Sequence, residues 1–172
     1  MSLRIPVSDY DHSQGDKSAP LVLVEYGDYE CPHCGAAYPV IKKLQQHFAD
    51  KLLFVFRNFP LAESHPHAIA AAYVAEASAL QSKFWPVHDL IFEHQQNLST
   101  QLLLSLAERA GVDIKQLSQD ISSPAVTGRV EKDLEGGARS GVNGTPGFFI
   151  NGHKYDGHHE YDIMRKALES ML

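Results

Sequence analysis

Residues 21–34, LVLVEYGDYECPHC, decide the fold. Leu21–Tyr26 is apolar on both faces, as a central buried strand should be. Within it Leu21, Leu23 and Glu25 share one face, so Glu25 continues an apolar row. Gly27-Asp28 is turn-like and leads to Cys31-Pro32-His33-Cys34. A helix starts there, because Pro32 suits the first helical position, where its missing N–H would have had no partner. Cys34, Tyr38, Ile41 and Phe48 mark its apolar stripe, and Pro39 removes one backbone hydrogen bond and is expected to kink it.

Working outward, Leu52–Phe56 (LLFVF) is a second dense apolar run that ends at Asn58-Phe59-Pro60. Strand, helix and strand in that order predict a parallel pair with a right-handed crossover. Between Glu63 and Gly136 no strand is legible and helices take over. Ser64 is read as the cap of the first, with Pro66 near its start and Ile69, Tyr73, Ala77 and Leu80 on one side. Phe84, Val87 and Ile91 mark a second. Ser99 or Thr100 caps a third, with Leu102, Leu103, Leu106 and Ala110 buried and Gly111 as its stop. Asp113 caps a short fourth carrying Ile114, Leu117 and Ile121, and Val126, Val130, Leu134 and Ala138, four apart, define a fifth. Phe148-Phe149-Ile150 is a strand, Asn151-Gly152 a hairpin signal, and His153 to Tyr155 the partner strand. A last helix is expected from about Glu160 to Leu172. This is α/β organisation in one domain: residues 1–62 and 137–172 form the sheet-bearing part, 1–18 are an extended lead-in, and 63–136 are an inserted helical subdomain.

Composition bounds the function. The chain has 172 residues and a formal net charge of -6, with Lys and Arg scattered, so nucleic acid and anionic membranes are poor partners. No apolar run is long enough for a membrane span. The N-terminal MSLRIPVSDYDHSQGDKSAP lacks the basic-then-apolar layout of a secretory signal, which reads as cytoplasmic residence, or as an extracytoplasmic chain whose signal was removed. Only two cysteines occur, so no disulfide framework staples the fold, and a four-ligand zinc ribbon would need a second CxxC.

A CxxC pair beside a strand and at a helix start is a redox signal. The thiolate is the nucleophile, so a working site must stabilise the anion. Cys31 sits where free N–H groups and the helix dipole favour negative charge, and His33 can add a donor or a positive charge. His33 can equally be a solvated helix-start side chain. Pro32 and His33, between the cysteines, tune the redox poise. Cys34, one turn deeper, is the natural resolving thiol, and it has to lose its proton. Glu25 is a candidate base if its carboxyl stays on the apolar face, where desolvation brings its pKa towards neutrality; the alternative is a strand-end carboxylate pointing to water. Thr145-Pro146, flanked by glycines before a strand, is a place where a tight turn can use a cis bond. Gly147 is expected to leave room for a substrate backbone. His65 and His67, and His158 and His159, read as solvated pairs, Lys42-Lys43 as a solvated helix face, and Trp85 as packing.

The run Glu25-Tyr26-Gly27-Asp28 into Cys31-Pro32-His33-Cys34, with Gly144-Thr145-Pro146 before an apolar strand, resembles the DsbA-like branch of the thioredoxin superfamily. Arg57-Asn58-Phe59-Pro60-Leu61, His65-Pro66-His67-Ala68 and Lys83-Phe84-Trp85 are similar to its pattern, and the likeness covers nearly the whole chain. The resemblance implies a thioredoxin fold with an inserted helical subdomain, thiol-disulfide exchange with protein substrates bearing thiols or disulfides, a redox partner protein or glutathione, and no separate cofactor. It implies Cys31 as nucleophile, Cys34 as resolving cysteine, Glu25 as the buried acid, Pro146 as the cis-proline facing the disulfide, Thr145 as the residue whose backbone pairs with substrate, and Pro39 as the kink proline. Secreted members carry an export signal that is not seen here, which admits a cytosolic reductase, peroxide-defence or isomerase-like role. Two other classes stay open: a zinc-binding or redox-sensing module using the CxxC pair and a histidine, and a glutathione-dependent transferase or isomerase of related fold.

Overall fold

In the computed structural model, which describes residues 1–172, the chain runs β1 (His12–Gln14), β2 (Leu21–Gly27), α1 (Pro32–Phe48), β3 (Leu52–Asn58), α2 (Ala68–Ala79), α3 (Phe84–Glu93), α4 (Thr100–Arg109), α5 (Ile114–Asp120), α6 (Pro124–Arg139), β4 (Gly147–Ile150), β5 (His153–Tyr155) and α7 (Tyr161–Glu169). The five strands form one sheet in the order β1-β3-β2-β4-β5. β2 and β3 are the parallel pair expected of strand, helix, strand, and the other pairings are antiparallel.

The alternation along β2 decides what each face packs. Leu21 and Leu23 join Phe54, Phe56, Phe148 and Ile150 in a 31-residue core cluster that runs without a break into α1, α7 and the helices α2–α5. Val24 and Tyr26 turn the other way, into a smaller cluster with Leu53, Val55, Phe59, Val142 and Phe149. α6 covers part of that second face. It approaches closely at Gly137, where a Cβ would press within 3 Å of Phe59 and Tyr26 ring atoms. No helix is long and apolar enough to cross a membrane.

Several expectations need correction. The first inserted helix begins at Ala68, not Ser64, and no side chain caps it. Residues 61–67 instead form turns held by bonds from Ser64 N and His65 N to the Leu61 carbonyl. α2 runs through the middle of the helical block and is buried nearly all round, so its side is not the Ile69–Leu80 stripe; Leu80 is 53% exposed. In α4, Leu102 and Ala110 are half-buried while Ala107 is buried, although Ser99 does cap it by accepting from Leu102 N. On α6 the inward face holds Arg129 and Asp133 together with Val126 and Val130, and Ala138 is exposed. The last helix spans Tyr161–Glu169. The lead-in is not merely extended: β1 pairs with β3, Asp11 binds the buried Arg57 guanidinium, and Ile5 and Pro6 carbonyls accept from it.

Candidate active site

β2 delivers Asp28, Tyr29 and Glu30 to the N-terminus of α1. Cys31, extended at φ -72 and ψ 123, is the residue before the first turn, and Pro32 opens the helix. The amides of Cys34 and His33 therefore reach the Cys31 sulfur. The Cys31 thiol falls from its ordinary value to about 5: the Cys34 thiol's hydrogen bond does most, burial opposes it, and Thr145 and the two amides add to the lowering. Cys31 Sγ lies 3.6 Å from the Thr145 carbonyl, and the buried Thr145 Oγ1 has no hydrogen-bond partner in the protein. Cys34 goes the other way. Burial, the bond it gives Cys31 and the nearby Glu25 push it well above an ordinary thiol, and its sulfur accepts from Asp28 N at 3.4 Å. Cys31 keeps 4% exposure and Cys34 none, so a partner can reach only the first.

Glu25 is on the apolar face, not turned to water. Its cross-strand neighbours are Phe56 and Phe148, it is 2% exposed, and Oε2 has no hydrogen-bond partner in the protein. Burial, and secondarily the Cys31 charge, raise its carboxyl to about 8. Pro32 and His33 are exposed, so the groups of the dipeptide that touch the sulfur are backbone. The Thr145–Pro146 bond is cis. Gly147 does not hold space for a substrate: Val142 fills it, and the open position is Gly144, where a Cβ would meet nothing within 4 Å.

Other residues that build this corner escaped the sequence reading. Asp28, which looks like an ordinary turn residue, is buried, accepts from Leu61 N and Glu30 N at 2.8 Å each, and faces His65 Nδ1 at 2.8 Å. Glu30 likewise holds His67 Nδ1 at 2.9 Å. This histidine pair is thus fixed to the site loop, contrary to the solvated reading; ion-pairing residues separated by some 37 positions leave no local signal. Gln95, from the α3–α4 connection, donates to the carbonyls of Tyr29 (3.0 Å) and Cys31 (2.6 Å) and lines a cleft of about 850 Å³ with Glu30, Pro32, Gly35 and Phe92. Tyr29 Oη and His88 Nδ1 share a hydrogen bond of 2.9 Å, and burial lowers the proton affinity of His88 well below that of an ordinary imidazole. Lys42 pairs with Asp89 at 3.0 Å instead of standing free in water. Trp85 is packing, against Phe54 and Phe84, with Nε1 donating to Ser13 O. No group of three or more His, Cys, Asp or Glu converges as a metal site would require.

A sheet in this order, with a CxxC pair at the start of the helix that follows its central strand and an X-cis-Pro turn beside the first sulfur, defines a thioredoxin-like protein. Residues 7–170 match the thioredoxin family model, and the chain belongs to that family. Its fold is that of three solved structures. A thioredoxin-like oxidoreductase from Silicibacter pomeroyi superposes with a TM-score of 0.83 at 24% identity, covering 95% of this chain and 92% of that one. Oxidised BdbD from Bacillus subtilis gives 0.83 at 24%, covering 94% and 92%, and alpha-DsbA1 from Wolbachia pipientis gives 0.84 at 22%, covering 98% and 94%. Among sequence relatives, the Na(+)/H(+) antiporter NhaA 1 of Mycolicibacterium vanbaalenii is 43% identical over 170 residues, covering 98% of this chain and 28% of its own length. The antiporter of the same name from Salinispora arenicola is 38% identical over 171 residues, covering 99% and 26%. This chain thus spans about a quarter of the length of those relatives.

Proposed function

We propose that this chain is a thiol-disulfide oxidoreductase that exchanges disulfides with protein substrates through a mixed disulfide at Cys31. The observation that carries the reading is the opposed ionisation of two adjacent sulfurs: one is held as an accessible thiolate, the other kept buried and protonated. In the reducing direction the Cys31 thiolate attacks a substrate disulfide and expels one substrate thiolate, which takes a proton from solvent. Cys34 then gives its proton to Glu25 and attacks Cys31 Sγ; the Cys31–Cys34 bond forms, the mixed disulfide breaks, and the second substrate thiolate leaves. Two electrons pass from the dithiol to the substrate. In the oxidising direction the same steps reverse. Pro32 and His33 shape the backbone donors, and Thr145 and Pro146 form the edge against which the substrate chain lies. A redox partner protein or glutathione resets the pair.

The α2–α6 block, residues 63–136, is read as the insertion that walls this site, because Gln95, His65 and His67 all reach the CPHC loop from it. The longer relatives are named as Na(+)/H(+) antiporters, and this chain matches about a quarter of their length. The test is a pair of variants with a reduced or disulfide-bonded protein as substrate. Cys31→Ser abolishes exchange, and Cys34→Ser accumulates a covalent complex that a small thiol releases. Exchange surviving in Cys31→Ser, or a complex trapped on Cys34, refutes the assignment.

A further inference from the structure

Asp28 ties the dithiol to a histidine. Its N–H donates to Cys34 Sγ at 3.4 Å, its carbonyl accepts from Cys31 N at 3.2 Å, and its carboxylate faces His65 Nδ1 at 2.8 Å. The Asp28 side chain has no solvent exposure, while His65 keeps 19%, one edge in water. A carboxylate without solvent exposure, three residues before a thiolate, opposes that charge, since like charges in a poorly screened site disfavour each other.

We propose that His65 is a positioning residue of this site: bound as a cation to Asp28, it neutralises that carboxylate, steadies the Cys31 thiolate and thereby sets the potential of the dithiol. The inference rests on Cys31 being the nucleophile. The charged groups facing His65 are Asp28, Cys31 and Glu30, all from the loop between β2 and α1. Glu30 is already held by His67, which leaves Asp28 and Cys31 to His65. Burial works against charge on His65, but the bond and charge of Asp28, followed by the charges of Cys31 and Glu30, raise its proton affinity. The coupling is mutual: if charge on Cys31 favours the His65 proton, that proton favours the Cys31 thiolate by the same amount. His65 sits three residues ahead of the start of α2, in turns whose first N–H, that of Leu61, is anchored on the same Asp28 carboxylate.

Two variants separate charge from scaffolding. His65→Asn keeps a donor where Nδ1 stood and removes the charge; His65→Ala removes both. In reduced protein the thiolate absorbance near 240 nm is followed against pH, and the dithiol is equilibrated with glutathione. Both variants are expected to raise the Cys31 midpoint by about one unit, a roughly tenfold loss of thiolate at pH values below both midpoints. The same tenfold makes the pair more reducing by about 30 mV. Thermal stability is expected to fall in His65→Ala and to stay near wild type in His65→Asn. An unchanged midpoint in both variants overturns the proposal, and so does a midpoint restored by Asn, which would show that the hydrogen bond alone matters. A wild-type protein with no depressed thiol midpoint would instead strike at Cys31 as nucleophile.

Discussion

Glu25 makes the fold less stable at neutral pH than it would be with a neutral side chain, and the size of that cost follows from its position. In the unfolded chain its carboxyl ionises near 4.5; in the fold, burial between Phe56 and Phe148 and the Cys31 charge move this to about 8. The sign follows from proton counting. Above about pH 4.5 the unfolded chain has released the proton that the folded one still holds, so stability is full below that pH and is lost as pH rises towards 8. Each pH unit in that window costs about 1.4 kcal/mol, so at pH 7 the penalty is about 3 kcal/mol. Glu25→Gln removes the titration and keeps the volume. Urea unfolding of reduced wild type and Glu25→Gln is the assay. Gln carries a constant offset of its own, so the quantity read is how the difference changes: from about pH 4.5 to about pH 7 the variant is expected to gain about 3 kcal/mol on wild type. Cys31 also titrates with folding, in the opposite sense, but it does so in both proteins. A difference that stays flat with pH would show that Glu25 ionises in the fold as it does in water, and the account of its burial would be wrong.

Two further outcomes probe the walls of the site. Gly35→Ala drives a Cβ into the Gln95 amide, whose nitrogen holds the Tyr29 and Cys31 carbonyls; it is expected to destabilise by about 1 kcal/mol, yet in a Gln95→Ala background to stabilise by up to about 1 kcal/mol, the ordinary helical gain of Ala over Gly. The same sign in both backgrounds would refute the contact. His88→Leu strands the buried Tyr29 hydroxyl and is expected to cost about 2–4 kcal/mol, of which adding Tyr29→Phe returns about 1–2 kcal/mol; urea unfolding of the single and double variants decides it, and no recovery means the two groups are not partners.

Strand and helix order was legible because it is written locally. The LVLVEY and LLFVF runs are buried on both faces, Asp113 and Ser99 cap the helices that follow them, and Asn151-Gly152 turns the last hairpin. The cysteines and Glu25 were legible for the same reason, since a strand period and a helix start place them. What stayed hidden depends on partners far along the chain. Asp28 looks like any turn aspartate until Leu61 N and His65 come to it, and α6 presents Arg129 and Asp133 inward because Asn58 N and its side-chain amide need the Asp133 carboxylate. α2 defeated a stripe reading because a helix packed on nearly all sides has no stripe to read. β1 is three residues of polar sequence, and only its pairing with β3 makes it a strand.

In the proposed mechanism these charges also order the proton transfers. Glu25, Cys31 and Cys34 share a poorly screened corner in which each negative charge raises the proton affinity of the next. Cys31 holds the charge in the reduced state because it alone has the helix amides of His33 and Cys34, and the Cys34 thiol, as donors. While that thiolate stands, Glu25 keeps its proton and is no base. Once Cys31 is bonded to a substrate sulfur its charge is gone, the repulsion that helped hold the proton on Glu25 goes with it, and the carboxyl ionises closer to neutrality. Cys34 therefore finds an acceptor only after there is a mixed disulfide for it to attack, so deprotonation of the resolving thiol is tied to the step that needs it.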